Sequence, residues 1–154
     1  MTVAVTGALR LERAFARARA ESRLALVVYL TVGYPDRAST GPLLRAALDG
    51  GADVLELGVP FSDPLADGTT VQRAGEAALR NGVTLADCLS EAAAVVRERD
   101  APVLFMGYTN PFMQYGFARL ATDGAHAGIA GVIVPDTSMP QGSVDYRFLA
   151  VAAK

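Results

Sequence analysis

The feature that most constrains this chain is a regular alternation of short apolar runs with helical patterns. "LALVVYLTVGYPD" (24–36), "VLELGV" (54–59), "PVLFMGY" (102–108) and "GIAGVIVPD" (128–136) are β-branched and apolar. Glycine or proline punctuates their ends, so each reads as a strand. Between them, 38–50 reads as a helix that Ser39 or Thr40 can cap, with Leu43, Leu44 and Ala47 as its apolar stripe. Further helices are expected at about 70–81, at about 84–99 behind Thr84, and at about 112–124. Strands and helices at this spacing imply βα units and a parallel sheet. Strands apolar on both faces imply a sheet with cover on both sides.

The two ends depart from that rhythm. The opening "MTVAVTGALRLERAFARARAESR" is rich in alanine and arginine. A transit peptide would avoid acids, whereas Glu12 and Glu21 stand here. An amphipathic helix with Leu9, Leu11 and Phe15 on its apolar side is the expectation. At the other end, 137–154 forms an atypical tail in which "YRFLAVA" (146–152) reads as a fifth strand. No linker divides residues 1–154, so one domain is expected.

Composition closes off several functions. Hydrophobic residues make up 51% and charged residues 19%, as in a globular domain with a real core. A net charge of −2 leaves no electrostatic footprint for nucleic acid. No apolar run approaches the roughly 18 residues of a membrane helix. Cys88 is the sole cysteine, which excludes an internal disulfide and fits a reducing, cytoplasmic setting. Cys88 reads as a small buried hydrophobe and His126 as a surface residue in a turn, and neither belongs to a zinc pattern.

Glu56 is out of place in an apolar strand. Alternate residues of a strand share a face, so Leu55, Leu57 and Val59 form a bulky side for packing helices. Val54, Glu56 and Gly58 then face the centre of a curved sheet, where Gly58 leaves space beyond the carboxylate at the strand's C-terminal end. Folds of this class keep their chemistry at that end. A carboxyl there would be partly desolvated, its pKa raised toward that of a general acid or base. The same pattern also fits a solvated acid on an edge strand, or one neutralised by arginine. Asp63 and Asp67, taken singly, are ordinary turn residues.

Taken together, "ELGVPFSDPLADG" (56–68), "YLTVGYPD" (29–36), "MGYTNP" (106–111) and "GVIVPD" (131–136) closely resemble the tryptophan synthase α subunit family. The resemblance runs in order from about residue 10 to Asp136. It implies a (β/α)8 TIM barrel, here truncated to about the first four βα units behind an extra N-terminal helix. It also implies cofactor-free retro-aldol cleavage of indole-3-glycerol phosphate to indole and glyceraldehyde 3-phosphate.

By that resemblance Glu56 is the acid–base glutamate, Asp67 holds the indole nitrogen, and Tyr108 lines the indole pocket. Pro60, Asp63 and Asn110 match positions at the contact with a partner, or in communication with it. For Asp63 and Asn110, local turn capping is an equal alternative. The implied partner is a β subunit carrying pyridoxal phosphate, in an α2β2 assembly; no cofactor or metal is expected in this chain.

Two positions depart from the family pattern. Ala130 stands where an aspartate is usual, which bears on loop communication. Asp136 to Ser138 read "DTS" in place of "DLP", leaving Asp136 as a structural acid at a strand end. A full barrel takes about 250 residues and commonly binds phosphate after strands seven and eight, so the 154 residues alone are expected to be weak or inactive. Two alternatives stand beside the enzyme: a non-catalytic half-barrel that binds a β-type partner or itself, and another phosphate-binding barrel enzyme. The latter would share the βα rhythm but not the 56–68 segment.

Overall fold

A computed structural model describes residues 6–136. The first helix, α1 (Gly7–Ala20), leads into β1 (Val27–Thr31), α2 (Thr40–Asp49) and β2 (Val54–Gly58). Two helices follow, α3 (Thr69–Arg80) and α4 (Leu85–Arg99), before β3 (Val103–Met106). Helices α5 (Thr109–Tyr115) and α6 (Phe117–Ala127) then lead to β4 (Gly131–Ile133). The expected fifth strand at 146–152 lies outside the described residues.

The four strands lie side by side in chain order, β1-β2-β3-β4, and every pairing is parallel. This is the parallel sheet expected from the alternation, and it matches part of the barrel wall that the resemblance implies. Its two faces differ sharply. Leu55, Leu57, Val103 and Phe105 are each 0% exposed and join residues of α2, α4 and α6 in one core. On the other face Glu56 pairs with Tyr29 and with Leu104, and Met106 with Ile133. Those side chains are only partly buried, and Ile133 is 40% exposed. Helices cover the convex side, while nothing among the described residues covers the concave side.

Local chemistry explains most element ends. Thr84 and Asp87 form a reciprocal capping box at the start of α4. Cys88 is buried on that helix as expected, and burial pushes its thiol up to about 12. The single helix expected at 112–124 is two, because Gly116 sits at φ +92° between α5 and α6. The expected cap of α2 is also corrected. Ser39 makes no side-chain capping bond, and the buried Thr40 Oγ1 instead accepts from the Gly33 N–H at 2.8 Å. Asp36 caps the short turn ahead of α2, accepting from the Ser39 N–H at 2.9 Å. Leu43 is 39% exposed, so Leu44 at 1% carries the α2 contact. The first and last strands are shorter than expected, and Leu24 is 92% exposed ahead of β1.

The packing face of α1 differs from expectation as well. Its buried residues are Gly7, Ala14 and Ala18, whereas Phe15 is 42% exposed. A close approach requires small residues: a Cβ on Gly7 would lie 2.2 Å from the Ile129 carbonyl oxygen. Larger side chains would hold the helix off the strand ends.

A buried acid fixes the N-terminal end of the sheet. Asp53, with 1% of its side chain exposed, accepts from Arg23 at 2.6 and 2.8 Å, from Arg17 at 2.8 Å and from the Leu26 N–H at 2.9 Å. Hydrogen bonds from Arg23, then Leu26 and Arg17, hold its carboxyl well below the usual carboxylate range. A depressed folded pKa contributes stability that is present above the unfolded value of about 3.9 and lost as pH falls below it. The melting temperature of the chain is therefore expected to exceed that of Asp53→Asn at neutral pH, with the gap closing below about pH 4. A gap independent of pH would contradict this role for the ionised form.

Candidate active site

The loop that follows β2 lies over the C-terminal end of the sheet and makes the candidate site. Glu56 projects from the middle of β2 on the open, concave face, its residue half-buried. No hydrogen bond or ion pair reaches its carboxylate among the described residues. Burial alone raises its pKa above the ordinary glutamate value. Of the three settings open to Glu56 at the outset, a partly desolvated carboxyl without a guanidinium partner is the one found.

Tyr29 stands directly across from it in register on β1. The space expected beyond Glu56 at Gly58 is filled by this tyrosine: a Cβ on Gly58 would lie 2.0 Å from the Tyr29 hydroxyl oxygen. Glycine at 58 is thus the seat of a neighbouring ring, not an empty floor. The Tyr29 hydroxyl also lies 3.2 Å from Thr31 Oγ1. Burial raises its pKa, and the charges of Asp67 and Glu56 act in the same direction. Tyr29 joins the candidate site by its place in the sheet, which the sequence alone does not mark. Its alternation with Thr31 on one face was visible, but the register that brings it opposite Glu56 was not.

Tyr108, buried at the end of β3, ties the loop down. Its hydroxyl accepts from the Ala66 N–H at 2.9 Å, and its ring lies 5.4 Å from that of Phe61. Burial raises the Tyr108 pKa, with the charge of Asp67 adding to the effect. The loop is braced from within: Gln72 Nε2 donates to the Asp67 carbonyl at 2.9 Å, and the Asp67 N–H donates to the Pro64 carbonyl at 3.3 Å. Glu56, Asp67 and Tyr108 are thereby gathered at one mouth, with Tyr29 among them.

The remaining candidates lie apart from that mouth in character. Pro60 is buried directly after β2, while Asp63 is exposed and accepts from the adjacent Ser62 hydroxyl, a local turn contact. Asn110 is exposed in the first turn of α5. Asp136 accepts from both the N–H and the hydroxyl of Thr109, at 2.9 and 3.0 Å, and so pins the end of β4 to the start of α5. Ala130 is buried beside Gly7 of α1, and its N–H donates to the Val103 carbonyl at 2.7 Å. It therefore sits at the N-terminal end of the strands, away from the loop over Glu56. Among the described residues no group of three or more His, Cys, Asp or Glu side chains could hold a metal ion, and no helix is long and apolar enough to cross a membrane.

This arrangement can move a proton. A half-desolvated carboxyl lies open to a ligand in the concavity, with a second carboxylate on the loop above and two aromatic rings beside it.

The family model for the tryptophan synthase alpha chain matches residues 15–147. The tryptophan synthase alpha chain of Roseiflexus castenholzii is 58% identical over 129 residues, covering 82% of this chain and 49% of that protein. That of Chloroflexus aurantiacus is 50% identical over 144 residues, covering 93% and 54% respectively. A chain in the crystal structure of tryptophan synthase from M. tuberculosis in its aminoacrylate-bound form superposes with a TM-score of 0.83 at 40% identity, covering 94% of this chain and 57% of that one. The chain spans about half the length of the curated relatives it matches.

Proposed function

The chain belongs to the tryptophan synthase alpha chain family, and from that premise we propose that its residues supply the proton-transfer side of a retro-aldol lyase site. The substrate is indole-3-glycerol phosphate and the products are indole and glyceraldehyde 3-phosphate. The observation that carries this reading is Glu56, half-buried and free of any ion pair among the described residues at the mouth of the concave face.

The chemistry follows from what the bond requires. The side chain cannot leave indole C3 while the ring is aromatic, so a proton must first reach C3. A carboxyl whose pKa burial has raised keeps more of its acid form toward neutral pH than an ordinary glutamate. Positive charge then develops at the ring nitrogen, and the Asp67 carboxylate stabilises it by accepting the ring N–H. Removal of the hydroxyl proton on the departing chain forms the aldehyde carbonyl as the carbon–carbon bond breaks. The electron pair of that bond restores the indole ring. One proton enters at C3 and one leaves the hydroxyl, so Glu56 can end as it began.

Tyr29 and Tyr108 provide flat walls for the ring, and Tyr108 also holds the Asp67 loop in place through Ala66. Pro60, Asp63 and Asn110 are proposed to meet or signal to a β-type partner, which would carry pyridoxal phosphate and use the indole released. The chain itself would need no cofactor for this reaction.

The test is a completed barrel: residues 6–136 joined to the remaining half of the Roseiflexus castenholzii relative, assayed for indole release. Turnover of indole-3-glycerol phosphate is expected. A folded barrel without turnover would remove the lyase reading.

A second reading, a non-catalytic interaction module, is favoured by exposed apolar residues on the strands that stand outermost among the described residues. Val27 on β1 is 40% exposed and Leu26 beside it 50%, with Ile133 on β4 at 40%. Apolar strand edges of this kind pair readily with other strands. Tight binding of a β-type partner by the completed barrel, with no turnover at any partner concentration, would select that reading.

A further inference from the structure

The arginine-rich opening of the chain has no part in the site at Glu56. On α1, Arg10, Arg13 and Arg17 follow one another at spacings of three and four, which sets them along one side of the helix. Small residues at Gly7, Ala14 and Ala18 seat α1 close against the sheet's N-terminal end. Between helix and sheet runs a cleft of about 440 Å³, bordered by the three arginines, by Arg99 from α4, and by Asp53 and Asp100. Its volume falls within the roughly 300–1,000 Å³ of small-ligand sites. Four guanidinium groups thus face two carboxylates, and the excess charge is positive.

The pairing inside the cleft leaves some of those cations available. Arg13 has no acceptor among the described residues. Arg17 donates to Asp53 at 2.8 Å, yet that carboxylate keeps two bonds from Arg23 and one from the Leu26 N–H without it. Arg17 can therefore turn to another acceptor without stranding a buried charge. Arg10 pairs at 2.5 Å with Asp100, whose side chain is 64% exposed and stays solvated if released. Arg99 pairs with Asp49 at 2.8 Å and with Glu98 at 3.6 Å, and neither of these acids borders the cleft. Guanidinium groups on two facing walls favour a ligand with anionic oxygens at both ends over a single small anion.

We propose that the cleft beneath α1 binds a compact polyanion, through Arg13 and Arg17 on one wall and Arg99 on the other. The ligand class is a molecule with at least two phosphate or carboxylate groups a few ångströms apart. The site lies at the opposite end of the strands from Glu56 and does not depend on the reaction assigned there.

Isothermal titration of the full 154-residue chain with pyrophosphate, citrate and orthophosphate at constant ionic strength tests this. Saturable one-to-one binding of pyrophosphate or citrate is expected, with orthophosphate weaker. Whichever of the two binds tighter identifies the natural ligand as phosphate-based or carboxylate-based. Arg13→Gln and Arg17→Gln should each weaken binding by about tenfold. Arg13→Gln removes no contact within the described residues, so its circular dichroism should match the parent chain. Absence of saturable binding by both polyanions would overturn the proposal, as would unchanged affinity in Arg13→Gln.

Discussion

Glu56→Gln in the completed barrel is expected to lower kcat for indole release by about 10²–10⁴-fold, with KM changed by no more than a few-fold. Glutamine keeps the size of the side chain and its place on β2, but it can neither deliver a proton to C3 nor take one from the hydroxyl. Tyr29 is across the register, but burial raises its pKa and makes it a poor base near neutrality, and Asp67, the other carboxylate at the mouth, is taken up by the ring N–H in the proposed reaction. The fall should appear in kcat because ring contacts at Tyr29 and Tyr108 are unaffected. A loss smaller than about tenfold would mean that another group carries the proton.

The second large effect concerns the 154 residues by themselves. Indole release by this chain alone is expected to be at least about 10³-fold slower, at equal substrate, than release by the completed barrel. Strand β2, the loop after it and the segment after β3 supply Glu56, Asp67 and Tyr108. Barrels of this type commonly bind phosphate with the loops after strands seven and eight. Without such a grip, the scissile bond is not held beside the carboxyl, and much of the advantage of a bound geometry is lost. The concave face, uncovered among the described residues, also admits water, which weakens every charge interaction at the mouth. Rates from chain and barrel within about tenfold of each other would show that remote phosphate binding contributes little.

Much of this arrangement could be read from residue order. The alternation of apolar runs with helical patterns locates four strands, and the period of two places Leu55 and Leu57 toward the helices with Glu56 opposite them. Both leucines are fully buried in the helix-covered core. Residues that depend on one element meeting another were less legible. Phe15 looks like the natural anchor of α1, yet the helix packs through glycine and alanine because it must come within contact of the Ile129 backbone. Gly58 looks like open space until the β1–β2 register sets Tyr29 over it. Thr40 looks like a helix cap until its hydroxyl is found bonded to Gly33 in the preceding loop. In each case the deciding partner is distant in sequence, and a single chain without its register does not name it.

The same limit applies to the candidate site. The acids at 56 and 67 stand out because an apolar strand and a turn-rich loop make them conspicuous. The brace from Tyr108 to Ala66 does not, since it joins residues 42 positions apart. That one hydrogen bond links strand β3 to the loop bearing Asp67.

The state of the Glu56 carboxyl tests the central claim most directly. Selectively labelled glutamate, followed by carbon NMR across an acid titration with Glu56→Gln as the assignment control, reports its protonation. The midpoint is expected above the ordinary glutamate value of about 4.3, because burial disfavours the charged form and no cation pairs with it among the described residues. A midpoint at or below that value would mean a well-solvated or ion-paired carboxylate, and Glu56 could not serve as the proton donor.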